Sequence, residues 1–296
     1  MKLIITGSIG LDDVKTPFGE VEKALGGSGV YASAAASFFE KPGFVGIMGT
    51  EMPAKHLELM KRFDLRGVEV KGETFRWKGF YEYDMNEAKT LETKLNSLAD
   101  FNPILPDDYR KANFLFLGNT DTDIQLNIID QMEGKPFIVL DTMNFWITSK
   151  REKLLRAIAK VNLVVMNEGE ARQLFDTPNL IKAGKMLLEL GPEYAVIKKG
   201  EHGALLFGYN RFFSAPGYPL EEVKDPTGAG DSFAGGLIGY LAKTDDISWE
   251  NLRKAVIYGS TIASFCAEDF SLNYLNKINH REIEERYNVF TQIREF

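Results

Sequence analysis

Residues 225–236 read DPTGAGDSFAGG, and three small residues, Gly228, Ala229 and Gly230, stand directly before Asp231. Glycine lets a backbone approach a ligand closely. The first turn of a helix offers unpaired N–H groups and a partial positive charge. A TGAG segment that opens a helix can therefore hold an anion, most simply a phosphate. Asp231 in that turn can complement the helix dipole, a gain of about 0.3–1 kcal/mol. That role needs no glycine cluster. A carboxylate beside a phosphate nest can also take the proton of an attacking hydroxyl. The residues by themselves leave both readings standing.

Competing phosphate motifs are absent, with no G-x-x-x-x-G-K-[ST] and no H-R-D set. GGSGVY at residues 26–31 is a G-x-G fragment that follows a charged segment rather than a strand, which disfavours a dinucleotide fingerprint and the oxidoreductase that would carry one. The formal charge of -7 argues against a nucleic-acid-binding surface, which needs clustered Lys and Arg. The single cysteine, Cys266, reads as a small buried hydrophobe, and a chain with one cysteine has no internal disulfide, as suits a reducing compartment. MKLIITGSIG turns polar too quickly for a signal peptide, and no apolar run approaches the ~18 residues of a membrane span. The expectation is a soluble, cytoplasmic protein with neither nucleic acid nor membrane as partner.

The elements that must position these residues alternate. KLIITG, GFVGIMG, NFLFLG, FIVLD, NLVVMN and YAVIKKG are apolar runs that read as buried strands. Between them lie helical patterns such as GVYASAAASFFE, PAKHLELMKRFD, DIQLNIIDQME, SKREKLLRAIAK and EGEARQLF, with a further helix near 179–190. GALLFG and RFFSAP suggest a hairpin, two helices follow near 228–242 and 249–267, and the last residues look helical and charged. Continuous apolar strands alternating with helices imply an α/β fold, a mostly parallel central sheet covered on both faces, with ligands at the carboxyl ends of the strands. Residues 67–98 break the pattern. Their polar/apolar alternation, clearest in TFRWKGFYEYD, predicts antiparallel strands with one wet face, standing apart from the main body.

DPTGAGDSFAGG resembles the C-terminal signature of the ribokinase-like, PfkB-type family of carbohydrate and nucleoside kinases. GGSGVYASAAA resembles the family's N-terminal Gly-Gly signature at the expected distance, and NEGEAR, residues 167–172, its N-x-x-E motif. The resemblance spans nearly the whole chain. It implies a single ribokinase-like domain over 1–296, with a small antiparallel β-sheet lid formed by about 11–20 and 67–98, and family lids often pair between subunits into a homodimer. It implies an ATP-dependent phosphotransferase acting on an alcohol group, with Mg²⁺ and, in many members, K⁺.

Carried over residue by residue, the resemblance makes Asp231 the catalytic base and Gly228, Ala229 and Gly230 the anion hole. Asn167 and Glu170 would place Mg²⁺ on ATP through water; their plainer reading is a helix N-cap and a first-turn acid. Lys198 and Gly200, in VIKKGEHGA, match the strand end that touches nucleotide phosphates, while Lys199 alternates to the other side. Asp225 and Thr227 match a monovalent-cation site. Asp12 matches the acid that grips substrate hydroxyls, and Gly26 and Gly27 the turn that lets backbone approach the substrate. Asp141 and Asn144, in DTMNFW, loosely resemble a family strand-end segment, without the arginine usual shortly after it. Tyr31 stands where many members carry Asn, and an aromatic there could stack on a substrate ring or pack in the core. Pro226 replaces a common Thr. Phe75, Trp77, Phe80 and Tyr81 are candidates for lid contacts. The implied acceptor is a small sugar, phosphorylated on a hydroxymethyl or ring hydroxyl. An adenosine-type nucleoside or a cyclitol is the alternative, and an inactive nucleotide- or sugar-binding regulator the rival from another class.

Overall fold

The computed structural model describes residues 1–293. The apolar runs become strands because each buries side chains on both faces. In β1 (Leu3–Thr6), Leu3 and Ile5 enter one core and Ile4 the other, and all three are fully buried. A short lid segment follows, β2 (Gly10–Thr16) and β3 (Gly19–Gly26), and then α1 (Ser28–Ala36), β4 (Gly43–Met48), α2 (Ala54–Met60) and β5 (Asp64–Val70). The second lid hairpin is β6 (Phe75–Tyr81) with β7 (Ala88–Lys94). Alternation then resumes through β8 (Phe114–Leu117), α3 (Thr122–Gln131), β9 (Phe137–Asp141), α4 (Asn144–Ser149), α5 (Arg151–Ile158), β10 (Leu163–Asn167), α6 (Glu168–Phe175) and α7 (Leu180–Glu189). The chain closes with β11 (Tyr194–Lys198), the hairpin β12 (Ala204–Gly208) and β13 (Arg211–Ala215), then α8 (Ala229–Thr244), α9 (Trp249–Ala267) and α10 (His280–Ile293).

The main sheet has nine strands in the order β13-β12-β11-β10-β9-β8-β1-β4-β5. It is parallel from β11 to β5, and β12 and β13 add an antiparallel edge. One face packs Ile4, Leu115, Leu140, Val164 and Ile197 against α3, α5, α6 and α7. The other packs Leu3, Ile5, Val139, Val165 and Val196 against α1, α8 and α9. At about 1.5–3 kcal/mol for each fully buried large apolar side chain, these two layers hold the strand ends that carry the site. Among the described residues no helix is long and apolar enough to cross a membrane.

The second sheet has four strands, β3-β2-β6-β7. Each hairpin is antiparallel, as expected, but the two hairpins join through a parallel pair, β2 with β6. Two expectations need correction. Residues 67–70 belong to β5 on the main sheet, because β5 pairs with β4 in parallel; its polar alternation is that of an edge strand with one wet face. The charged segment before GGSGVY is itself a strand, β3, which lies at the lid's edge and is mostly exposed, so no apolar alternation marks it.

Helix α8 is located by contacts that only glycine permits. A Cβ on Gly235 would lie 2.2 Å from the Ala32 carbonyl oxygen of α1, and one on Gly239 would lie 2.7 Å from Ala36 Cα. On the α9 side, a Cβ on Gly259 would lie 2.7 Å from the Phe233 carbonyl oxygen. The glycines at i and i+4 of α8 thus meet residues at i and i+4 of α1, backbone against backbone. Gly235→Val is expected to cost about 1–3 kcal/mol or more through overpacking, read as a lower urea midpoint with an unchanged m value.

Candidate active site

The site is built at the N-terminus of α8 and the carboxyl ends of β9, β10 and β11. Gly228 is the N-cap of α8 with φ 78° and ψ -1°, a left-handed conformation that a side chain disfavours. Its open side is filled from α1: a Cβ on Gly228 would lie 2.4 Å from ring carbons of the buried Tyr31. Tyr31 therefore packs under the glycine loop. The Ala229 amide donates to the Pro226 carbonyl at 3.1 Å. The amides of Gly228 and Gly230 make no backbone hydrogen bond among the described residues, as at the start of any helix. The loop and Asp231 stay partly exposed, so donors, dipole and an accessible face coincide. This arrangement suits an anion.

Asp231 is held well above the usual carboxylate range, at about 7, by burial and then by the negative charge of Asp141, with Lys198 opposing. Lys198 lies at the end of β11, and its Nζ stands 2.8 Å from Asp141 Oδ2 at the end of β9. A Cβ on Gly230 would be 3.0 Å from the same Nζ, so the ammonium lies against the glycine loop. Burial acts to lower the Lys198 ammonium, but Asp141 and Glu170 outweigh it and hold the pKa above its ordinary value.

Asn167 ends β10 and caps α6 with a full capping box. Asn167 Oδ1 accepts from the Glu170 amide at 2.8 Å, and Glu170 Oε2 accepts from the Asn167 amide at 2.8 Å. Asn167 Nδ2 also donates to Glu170 Oε1 at 2.7 Å. The helix-cap reading of this pair is thus realised. Each Glu170 oxygen keeps a second lone pair for a water. Burial and Asp141 hold the Glu170 carboxyl above its ordinary range, against Lys198. Gly200, with φ 55°, opens a short 3-10 turn, Gly200–His202. Its neighbour is the lid: Asn86, at the β6–β7 tip, has Oδ1 3.7 Å from where a Gly200 Cβ would be.

Asp12 comes from lid strand β2 and is only 5% exposed. A Cβ on Gly26 would fall 1.9 Å from Asp12 Oδ2, so Gly26 leaves the carboxylate its space. Asp12 Oδ1 is buried without a hydrogen-bond partner. Burial first, then Asp225 and Asp231, lift this carboxyl to about 8. Asp225 is 1% exposed and is raised by burial to about 6; its Oδ1 accepts from the Thr227 amide at 2.9 Å, and its Oδ2 is buried without a partner. Cys266 lies behind this loop, with Sγ 3.6 Å from the Thr227 carbonyl oxygen and its thiol pushed by burial to about 12. It is the small buried residue expected.

The lid supplies features that sequence reasoning met only as candidates. In the β2–β6 register Asp12 pairs with Trp77 and Gly10 with Phe75, so these side chains share one face. Tyr81 lies on that face too, and its hydroxyl accepts from Thr227 Oγ1 at 3.2 Å, so the face looks onto the loop before α8. The Trp77 indole lies over Gly79, where a Cβ would be 2.3 Å from Cζ2, and its Nε1 donates to Thr90 Oγ1 at 3.0 Å. Half-buried and pinned, Trp77 forms an aromatic surface beside Asp12. Phe80 lies on the opposite face. The one sequence signal for this was alternation within TFRWKGFYEYD.

A nine-stranded sheet with a separate four-stranded sheet over its strand ends is the ribokinase-like fold. The chain superposes on Methanocaldococcus jannaschii nucleoside kinase, an archaeal member of the ribokinase family, with a TM-score of 0.79 and 18% identity, covering 97% of this chain and 98% of that one. It superposes on a putative ribokinase II from E. coli, in complex with ATP and Mg²⁺, with a TM-score of 0.80 and 17% identity over 99% of each chain. At these identities the likeness is one of fold. The sequence goes further: the pfkB family carbohydrate kinase model matches residues 6–279, and the chain belongs to that family. Cytidine kinase of Thermococcus kodakarensis is 29% identical over 247 residues, covering 81% of this chain and 88% of that protein. The chain is a phosphotransferase with an alcohol group as acceptor.

The capping box makes a prediction that does not depend on nucleotide. Asn167→Ala should lower folding stability by about 1 kcal/mol, measured by denaturant unfolding without ligands.

Proposed function

We propose that the chain transfers the γ-phosphoryl group of ATP to a hydroxyl of a nucleoside-type acceptor, with Asp231 as general base. The observation that carries this reading is Asp231 at the start of α8, lifted to about 7 directly behind the Gly228–Ala229–Gly230 loop. A base of that strength can accept a hydroxyl proton at neutral pH and later release it. The Gly228 and Gly230 amides would stabilise charge on the transferring group, since they are fixed before it arrives. Lys198 would add a point charge to the same anion, and Asn167 and Gly200 would border ATP on the β10 and β11 side.

On the acceptor side, the unpartnered Asp12 Oδ1 is an acceptor for a ligand hydroxyl, and a two-oxygen carboxyl suits a vicinal diol. Gly26 leaves space for the Asp12 carboxylate, and Gly27, with φ 98°, for the Ser8 carbonyl, so both act on the acceptor side through the chain's own packing. Tyr31 serves by packing under Gly228 rather than by touching acceptor. Trp77 favours an acceptor that carries a ring to stack, and a cytidine kinase as a relative points the same way. A simple sugar, expected first from the sequence, would satisfy Asp12 and leave Trp77 unused.

Among the described residues no cluster of three or more His, Cys, Asp or Glu could hold a metal ion by itself. The open lone pairs of Glu170 fit a water-mediated Mg²⁺, which Asn167 and Glu170 would hold on the nucleotide. When bound, Mg²⁺ neutralises phosphate charge and orients the phosphates. The buried, unpartnered Asp225 Oδ2 beside Thr227 likewise fits a monovalent cation such as K⁺.

Asp231→Asn should lower kcat by about 10²–10⁴-fold while ATP binding by calorimetry is retained; near wild-type turnover would overturn the assignment. The pH dependence has a definite sign. Protonated Asp231 cannot accept a proton, so kcat/KM should fall as pH drops below about 7. A profile flat to pH 5 would count against it. Trp77→Ala should raise KM for cytidine roughly 10- to 100-fold, the worth of about 1–3 kcal/mol for a stacked base, with KM for ATP unchanged. Equal KM values for cytidine, or wild-type turnover of hexoses but of no nucleoside, would sink the acceptor reading.

A further inference from the structure

The strongest unassigned feature is the carboxylate behind Lys198. Lysine has a long, flexible stem, and its ammonium acts as a point charge whose value depends on where it is held. Here it is held from one side by Asp141, at 2.8 Å, with side-chain exposures of 16% for Lys198 and 4% for Asp141. Asp141 is itself fixed twice. Its Oδ1 accepts from the Thr142 amide at 2.9 Å, and its backbone oxygen accepts from Gln125 Nε2 at 3.2 Å, where Gln125 is fully buried. On the other side of the ammonium is Gly230, where even a Cβ would come within 3.0 Å of Nζ. Asp141, Lys198 and the anion loop thus form a line that crosses from β9 to β11 to α8.

We propose that Asp141 is a positioning residue, whose carboxylate aims the Lys198 ammonium at the Gly228–Gly230 loop and so at the transferring phosphoryl group. The inference rests on the phosphoryl-transfer reading above and adds a residue to it. Asp141 does not contact substrate in this arrangement; it acts through Lys198. A neutral side chain at 141 would release the ammonium to other carboxylates. Those that face Lys198 are Glu170 from α6 and Asp231 itself from α8, and Asp231 is faced in turn by Asp12 from the lid and by the Cys266 thiol of α9. Misplacing a catalytic group by about 1 Å can cost about 10²-fold in rate.

The test is a double-mutant cycle of Asp141→Asn, Lys198→Met and both together. Two rates are read with ATP and Mg²⁺: phosphorylation of cytidine, and ATP hydrolysis without acceptor. The second still reports on the pair if cytidine proves not to be an acceptor, so failure of the acceptor reading is separate from failure of this one. Asp141→Asn should lower kcat roughly 10- to 100-fold with KM for ATP little changed, and should cost less than about threefold when Lys198 is already Met. Asp141→Glu, which keeps the charge, should exceed Asp141→Asn in rate and serves as the second variant if the Asn form does not fold. The acid limb of the wild-type profile should move to lower pH in Asp141→Asn, because a negative neighbour of Asp231 is gone. An equal loss in both Lys198 backgrounds would overturn the proposal. So would a raised Mg²⁺ requirement in both, which would place Asp141 on the metal instead of on Lys198.

Discussion

The site depends on one contact, the meeting of the α1 and α8 backbones at Gly235 and Gly239. Helices that touch through larger side chains have room to slide; these do not, because a single Cβ at Gly235 would overlap the Ala32 carbonyl. With α8 so placed, its N-terminus falls beside the ends of β9 and β11, and Tyr31 of the same α1 fills the space under Gly228. One helix therefore sets both where the Gly228–Gly230 loop lies and what supports it. Gly235 and Gly239 of α8 and Ala32 and Ala36 of α1 are two halves of one joint.

Around that joint the charges are unequal in number. Asp12, Glu170, Asp225 and Asp231 are all lifted by burial, and Asp141 adds to the pressure on two of them. Lys198 is the cation that counters Glu170 and Asp231. A site so rich in carboxyls would repel a polyphosphate if all were ionised and no cation accompanied it. Raised pKa values relieve part of that repulsion, since a carboxyl that keeps its proton is neutral. The burial that lifts Asp231 thus also lessens the negative charge that a polyphosphate would meet.

Much of this was legible in the chain. The continuous apolar runs appear as the main sheet, since a strand buried on both faces needs no alternation, and the twelve residues from Asp225 appear as loop and helix. What escaped notice depends on pairing between distant segments. Strand β3 carries charges because it is a lid edge, wet on most of its length, so it looked like loop. Strand β5 alternates because it edges the main sheet, so residues 67–70 looked like lid. The alignment of Trp77 with Asp12 exists only in the parallel register of β2 on β6, and the pairing of Asp141 with Lys198 joins residues 57 positions apart. No local pattern records such neighbours.

The two halves of the lid are fastened to the body with different strengths. The first hairpin is rooted in the core by Leu11 and Leu25 and tied by Thr16 Oγ1 to the Lys224 carbonyl at 2.9 Å. The second reaches the body near the Gly228–Gly230 loop through one neutral hydrogen bond, Thr227 to Tyr81. Such a bond contributes about 0.5–1.5 kcal/mol net, only one to three times the thermal energy. Beyond that bond the second hairpin is carried by the first, through six paired positions of β2 on β6, and at its root by Gly49 and Glu51 on Thr74. The lid is thus built as a bracket: its fixed arm is β2–β3, and the face that bears Trp77 and Tyr81 hangs from that arm by backbone pairing.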